Sequence, residues 1–186
     1  MQETDSKRRQ VLTQALQVAG LAALGQGCAS AQAKPELRAL ERIVTGEDEQ
    51  GRSTRLFRND PLQTLEFNGS RVYRLWETDA VPTTLPITSD RGADAGNAYR
   101  DGFGGTSLYI ADIPAGVAAS KVPMHQENSL DYMAGLSGEI VLLLETEEVV
   151  MRTGDVLVQG GNLHGWENRA AEPCRLLVVA LRATRV

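Results

Sequence analysis

Residues 124–132 read Met-His-Gln-Glu-Asn-Ser-Leu-Asp-Tyr, and residues 161–168 read Gly-Asn-Leu-His-Gly-Trp-Glu-Asn. These segments hold both histidines of the chain, His125 and His164, each among polar neighbours. Two apolar runs and the turn Arg-Thr-Gly-Asp at residues 152–155 lie between them. Two imidazoles from distant segments, with carboxylates close by in sequence, predict a site in which polar side chains converge.

The segments around the two histidines are short and β-like. Ser107 to Ile113 alternates and is rich in β-forming residues, and similar runs recur up to Leu181 with turn residues between them. Asn68-Gly69 predicts a hairpin because both residues tolerate positive φ. Eighteen glycines and seven prolines also favour many turns. The sequence therefore predicts an all-β barrel or sandwich.

Composition limits the classes of function. A chain of 186 residues with 42% hydrophobic and 23% charged residues is typical of one soluble domain. The net charge of −5, without a basic stripe after the N-terminus, argues against nucleic-acid binding, which needs clustered Lys and Arg. Cys174 adjoins an apolar run, so we interpret it as a partly buried strand residue and not as a nucleophile.

The first 33 residues have the order of an export signal. Arg8-Arg9 precedes a weakly apolar run, and the small residues of 29–33 precede Lys34-Pro35. The paired arginines are typical of the twin-arginine type, which predicts a periplasmic or exported protein. An amphipathic helix that is not processed is the alternative, and the protein would then be cytoplasmic. The run is too polar and too short to predict a stable membrane span.

Two further segments precede the β-rich part. Helical spacing of Leu37, Leu40 and Ile43 predicts a short helix over residues 35–44. Residues 79–105 are rich in glycine, proline and aspartate and predict a long loop. This loop is either a solvated excursion or a lid over the mouth of a barrel, with Tyr99, Arg100 and Phe103 as contacts.

Spacing around the first histidine indicates which side chains could share a site. His125 and Glu127 lie on the same face if the segment is extended, and Asp131 follows four residues later. With His164 they would form a mixed nitrogen and oxygen donor set. Such a set suits iron, manganese, nickel, cobalt, zinc or copper as divalent ions.

The same stretch resembles the cupin superfamily, specifically its small single-domain members. The first cupin motif is matched by His125, by Glu127 at the second histidine position, by Asp131 at the glutamate position, and by Gly138; the second is matched by Gly154, His164 and Asn168. The resemblance implies a single jelly-roll β-barrel over residues 106–186, preceded by an arm that carries strands within residues 34–105. Residues 1–33 would be the export signal.

The resemblance implies a divalent transition metal (Fe, Mn, Zn, Ni or Cu) bound by His125 and His164. Glu127 and Asp131 are both candidate ligands and candidate catalytic groups, and the residues leave the choice open. Tyr132 is a candidate proton donor, with a core tyrosine as the alternative. The pocket wall is predicted to include Trp166 and Tyr109.

Two functions are predicted from this site. The first is a metal-dependent enzyme of the decarboxylase or dioxygenase type, acting on a small organic acid or aromatic compound. The second is a non-catalytic cupin that binds or senses a small molecule; a metal-independent isomerase is a weaker third. The resemblance also predicts a homodimer, in which the N-terminal arm adds strands to a partner's sheet.

Overall fold

The computed structural model describes residues 37–58, 62–67, 69–92, 104–121 and 123–186. In these ranges the regular structure is eleven β-strands and one short 3-10 helix, Ala119–Lys121. The strands are β1 (Ile43–Glu47), β2 (Ser53–Arg58), β3 (Gln63–Phe67), β4 (Ser70–Glu77), β5 (Thr106–Ile113), β6 (Ser129–Ser137), β7 (Glu139–Leu143), β8 (Glu148–Arg152), β9 (Val156–Gln159), β10 (Gly165–Glu167) and β11 (Cys174–Arg182). The all-β prediction is confirmed.

The strands form two principal sheets in which every pairing is antiparallel. The larger sheet has the order β3-β4-β5-β11-β6-β9, and the smaller has the order β10-β7-β8. Neighbours such as β5 and β11 are far apart in the chain, which is typical of jelly-roll topology. The predicted hairpin joins β3 to β4, with Phe67 opposite Ser70 and Gly69 at φ 81°. Asn68 lies outside the described residues.

The hydrophobic core lies between the two sheets. Alternation along each strand sends every second side chain inward, which is why apolar residues two apart meet there. Its buried members are Ile113, Met133, Ile140, Leu142, Met151, Trp166, Cys174, Leu176 and Val178. Cys174 is buried within this cluster, and burial raises the pKa of its thiol to about 12. It is therefore a strand residue, as the sequence predicted, but it is fully buried where partial burial was expected.

The N-terminal arm joins the larger sheet through β3 and β4, and its first described residues are tied to that sheet by a hydrogen bond. β4 pairs with β5 of the same chain, whereas β1 and β2 form a separate two-stranded sheet. The Arg175 guanidinium donates to both carboxylate oxygens of Asp112 at 2.6 Å and to the Arg38 carbonyl at 2.5 Å. This network is largely shielded from solvent, so it ties the start of the described chain to β5 and β11.

The prediction of a short helix over residues 35–44 is wrong. Residues 37–42 form no regular element, and strand β1 begins at Ile43; residues 35 and 36 lie outside the described ranges. The β-branched run Ile-Val-Thr at residues 43–45 favours an extended chain. Tertiary contacts also hold the segment extended, because the buried side chain of Arg42 donates to the Leu75 carbonyl at 3.1 Å.

Two further predictions concern segments outside these ranges. The export signal falls on residues 1–33, and the lid contacts Tyr99, Arg100 and Phe103 fall within residues 93–103. Both lie outside the described part of the chain. Within the described ranges, no helix is long and apolar enough to cross a membrane.

Candidate active site

The two histidines face each other on neighbouring segments. His125 precedes β6 and His164 precedes β10, and their backbones form an isolated antiparallel bridge. The His125 amide donates to the His164 carbonyl at 2.7 Å, and the His164 amide donates back at 2.9 Å. Opposed residues in such a pair place their side chains on the same face. The ring centroids are accordingly 4.4 Å apart, with the ring planes at 52°.

Each imidazole has one nitrogen fixed by a backbone carbonyl. His125 Nδ1 lies 3.0 Å from the Pro123 carbonyl oxygen, and His164 Nδ1 lies 2.9 Å from the Asn162 carbonyl oxygen. A carbonyl oxygen only accepts, so Nδ1 carries the hydrogen in both rings. In the neutral form each Nε2 then has a free lone pair. Metal-ligating histidines characteristically donate their second ring N–H in this way.

His164 is kept in that neutral form by its surroundings. Only 4% of the residue is exposed, and burial lowers the pKa of its imidazole. The hydrogen bond to the Asn162 carbonyl raises the pKa of His164 and so opposes this shift. A positive charge on the His125 ring lowers the pKa of His164 further. A buried neutral imidazole can act as a ligand or as a proton acceptor.

Two carboxylates enter the same pocket. A Glu127 Oε1 lies 3.9 Å from His125 Nε2. Asp131 is 5% exposed, and among the described residues its Oδ1 has no hydrogen-bond partner. Burial raises the pKa of the Asp131 carboxyl, opposed by a hydrogen bond from Ser129 and by the charge of His125. A buried oxygen without a partner indicates a group that is completed by a ligand.

The walls of the pocket are mainly apolar. Trp166 contacts His164 edge-on, with centroids 5.9 Å apart and planes at 82°. The lining residues come from both arm and barrel and are Phe67, Ser70, Val72, Tyr109, Ala111, Ile113, His125, Glu127, Asp131, Met133, His164, Trp166, Leu176 and Val178. A largely apolar lining with a few polar groups is typical of small-molecule sites, but the cavity volume of about 60 Å³ is well below the usual range of roughly 300–1,000 Å³.

The structure thus brings six of the seven residues singled out in the sequence to one pocket: His125, His164, Glu127, Asp131, Trp166 and Tyr109. Tyr132 is the exception. It is 44% exposed and lies on the opposite face of β6 from Asp131, because adjacent strand residues alternate. It is therefore neither a core tyrosine nor positioned to donate a proton in this pocket.

Some pocket residues were not singled out from the sequence. Met133 lies two residues after Asp131 on β6, so strand alternation would have placed it on the same face. Phe67, Ser70 and Val72 reach the pocket because β4 joins β5 in the larger sheet. No local sequence pattern indicates that long-range pairing.

The possible metal donors in the pocket are two imidazoles and two carboxylates. Across the described ranges, no group of three or more His, Cys, Asp or Glu side chains is close enough together to hold an ion. The tautomers of both histidines and the unpaired Asp131 oxygen nevertheless suit a ligand that carries positive charge. The two imidazoles therefore have the chemistry that metal binding needs, and Glu127 and Asp131 are the carboxylates that share their pocket.

Comparison with known proteins agrees with this architecture. The family model described as a cupin domain matches residues 109–180. The cupin-domain-containing oxidoreductase fogC of Aspergillus ruber is 31% identical over 150 residues, covering 75% of this chain and 71% of fogC. The chain belongs to the cupin family. The residues that match the family model, 109–180, include both histidines.

Two other matches are informative about this cupin. Phomopsin biosynthesis cluster protein C' of Diaporthe leptostromiformis is 32% identical over 162 residues, covering 80% of this chain and 82% of the relative. Among solved structures, the cupin domain of Schizosaccharomyces pombe Cnp3 has a TM-score of 0.50 at 12% identity. That match covers 78% of this chain and 89% of the Cnp3 domain, and it supports the fold alone.

Proposed function

We propose that this cupin is a metal-dependent enzyme acting on a small organic molecule, with oxidoreductase chemistry of the dioxygenase type favoured over decarboxylation. The observation that carries the proposal is the pair of imidazoles whose Nδ1 atoms are fixed by the carbonyls of Pro123 and Asn162. Their Nε2 lone pairs enter an apolar pocket together with two carboxylates. Relatives named as cupin-domain-containing oxidoreductases support the reaction class.

In this proposal His125 and His164 are the nitrogen ligands, and Glu127 is the carboxylate ligand. Glu127 is favoured over Asp131 because its Oε1 is 3.9 Å from the Nε2 of His125. Two histidines and one carboxylate leave coordination positions open. A divalent transition metal here supplies Lewis-acid polarisation of a substrate oxygen and, when redox-active, electron transfer to dioxygen.

Asp131 is the proposed proton carrier. Burial moves its pKa towards the range in which a carboxyl both gives and takes protons near neutral pH. Its unpaired Oδ1 is available for a hydrogen bond to a substrate hydroxyl or carboxyl group. Trp166, Met133 and Val178 are buried and line the same pocket, and such apolar surroundings strengthen electrostatic interactions.

Elemental analysis of protein purified without a histidine tag tests the metal. The chain has two histidines, so a His125→Ala/His164→Ala variant removes every imidazole. We expect the wild-type protein to retain about one transition-metal ion per chain and the double variant to lose it, since both nitrogen ligands are gone. Equal metal content in both proteins would refute the proposal.

A matched control keeps that comparison free of folding effects. Val149→Ala shortens an exposed side chain on β8 that does not line the pocket. It should retain the wild-type metal content. Loss of metal in Val149→Ala would mean that disturbance of the barrel, and not ligand removal, explains the double variant.

A non-catalytic binding protein is the second candidate. It is favoured by the lack of a three-ligand cluster among the described His, Cys, Asp and Glu residues. In that case metal-free protein would be stabilised against heat by a small molecule, with no turnover, because binding to the native state alone raises the unfolding midpoint. A small molecule that stabilises only the metal-loaded protein would count against it.

We further propose that the chain forms a homodimer through the outer face of β6 and β9. Tyr132, Leu136, Val156 and Val158 are 44%, 45%, 75% and 60% exposed, and Tyr132 pairs with Val158 across the two strands. An uncharged apolar surface complements a second copy of itself, as a two-fold contact requires. This surface lies at the opposite edge of the sheet from the arm.

Light scattering after size exclusion tests the homodimer. We expect wild-type protein at the mass of two chains, and Val158→Lys at the mass of one, because the contact would bury an unpaired charge. Val149→Lys, on the exposed part of β8, is the control and should remain dimeric. A wild-type monomer, or a dimeric Val158→Lys protein, would remove this interface.

A further inference from the structure

The C-terminal residues cross the two loops that carry the candidate ligands. The first site loop comprises residues 123–128 and carries His125 and Glu127; the second site loop comprises residues 160–164 and carries His164. After β11, the Ala183 amide donates to the Asn128 carbonyl at 3.0 Å. The end of the chain is thereby fixed along the first site loop.

Arg185 then contacts both site loops. Its Nη1 donates to the Gly161 carbonyl of the second site loop at 2.6 Å. Its Nη2 and Nη1 also lie 2.7 and 2.8 Å from the side-chain oxygen of Gln126, in the amide orientation that makes this oxygen the acceptor. Gln126 lies between His125 and Glu127 in the first site loop. One guanidinium therefore bridges the segments that carry the proposed ligands.

The bridge spans a place where the two backbones touch. Gly161 has φ 68°, and a Cβ on it would lie 2.8 Å from the Glu127 carbonyl oxygen and 2.9 Å from the Ser129 carbonyl oxygen. The second site loop therefore packs directly against the backbone of Glu127. Small movements between the loops would change the positions of the imidazoles and of the Glu127 carboxylate relative to one another.

We propose that Arg185 is a positioning residue that sets the separation of the two site loops and so prepares His125, His164 and Glu127 for metal binding. A planar guanidinium donates along several directions at once, which an ammonium group does not do with the same geometry. Arg185 acts through the loops and has no part in the chemistry itself. The test by cobalt binding rests on the proposed function, whereas the test of how the two imidazoles are held does not.

Cobalt(II) binding to tag-free, metal-free protein is the first measurement. We expect Arg185→Ala to bind cobalt about tenfold more weakly than wild type, as for the loss of other groups that orient ligands. Arg185→Lys should recover part of the affinity, because it keeps the bond to Gly161. Arg52→Ala is the control: this arginine pairs with Asp48 in the β1–β2 turn and should bind as wild type does.

The imidazole resonances give a second measurement that needs no metal. With two histidines in the chain, a long-range proton–nitrogen spectrum shows two ring systems. Wild type should show the Nδ1–H tautomer for both rings, and Arg185→Ala should show mixed tautomers for His125 at an unchanged thermal midpoint. If wild type binds no cobalt, that result counts against the proposed function. Mixed tautomers in Arg185→Ala would still support the positioning role of Arg185. Unchanged resonances and unchanged cobalt affinity in Arg185→Ala would overturn the inference about Arg185.

Discussion

Asp131→Asn should stabilise the metal-free protein at neutral pH. The Asp131 carboxyl is 5% exposed, and its Oδ1 has no partner among the described residues. A buried polar group without a partner costs about 1–3 kcal/mol, and the hydrogen bond from Ser129 offsets part of this cost. Asn has nearly the same shape and still leaves one polar atom unpaired at this position, so it removes only the additional cost of burying the charge, and we expect a gain of about 1 kcal/mol.

The pH dependence of that gain follows from the direction of the pKa shift. Folding raises the pKa of Asp131 above its unfolded value of about 3.9. Between the two values the native protein binds a proton that the unfolded chain releases, so native stability falls as pH rises. The destabilisation is complete above the folded pKa and absent below the unfolded one. The advantage of Asn over Asp should therefore be full above the folded pKa of Asp131 and disappear towards about pH 4, the unfolded value.

Thermal and urea unfolding in the presence of a chelator measures this difference. For a domain of this size, each kcal/mol shifts the thermal midpoint by about 2–4 °C. Asp155→Asn is the matched control, because Asp155 is an exposed turn residue whose carboxylate accepts from the Arg152 amide at 2.8 Å. It should change stability by less than about 0.5 kcal/mol. A less stable Asp131→Asn protein at pH 7, or a gain that does not vary with pH, would refute the reasoning.

Three other predictions concern single positions. Gly161→Ala should destabilise the protein by about 1–3 kcal/mol, because its Cβ would meet two backbone carbonyls. Gly116→Ala, at φ 71° with open space around it, should cost about 1 kcal/mol. Chemical denaturation of both variants checks this difference. In a Cys28→Ser background, native protein at pH 8 should resist thiol alkylation at Cys174, whose pKa is about 12, and react fully only once unfolded, as mass spectrometry would reveal. Tyr132→Phe should leave any catalytic rate unchanged, because the hydroxyl lies outside the pocket; a rate loss of about 100-fold, the size expected for a proton donor, would contradict this placement.

Local pattern was sufficient to predict most strands. The predicted run Ser107 to Ile113 differs from β5 by a single residue at its start. The segment around His125 was treated as extended, and among its described residues 123–128 it pairs through the single bridge of His125 with His164. Pro123 lacks the amide that a continuous ladder needs, so pairing is restricted to His125.

The site was predictable where strand alternation applies and unpredictable where long-range pairing decides. Asp131 and Tyr132 illustrate the first case, since they are neighbours on β6 and face opposite ways. Arg185 illustrates the second case. It is an exposed residue next to the C-terminus, and nothing in its neighbours indicates that it bonds to the Gly161 carbonyl. Such contacts depend on where loops meet, which sequence spacing does not encode.

The central claim is that two imidazole nitrogens in one pocket bind a transition metal. Copper(II) electron paramagnetic resonance of tag-free protein at equimolar copper tests it most directly, because nitrogen couplings report how many imidazoles are bound. The account predicts couplings from two nitrogens in wild type and from one in His164→Ala, with the second site loop otherwise intact. Tightly bound copper with no nitrogen coupling, or identical spectra from the two proteins, would contradict it.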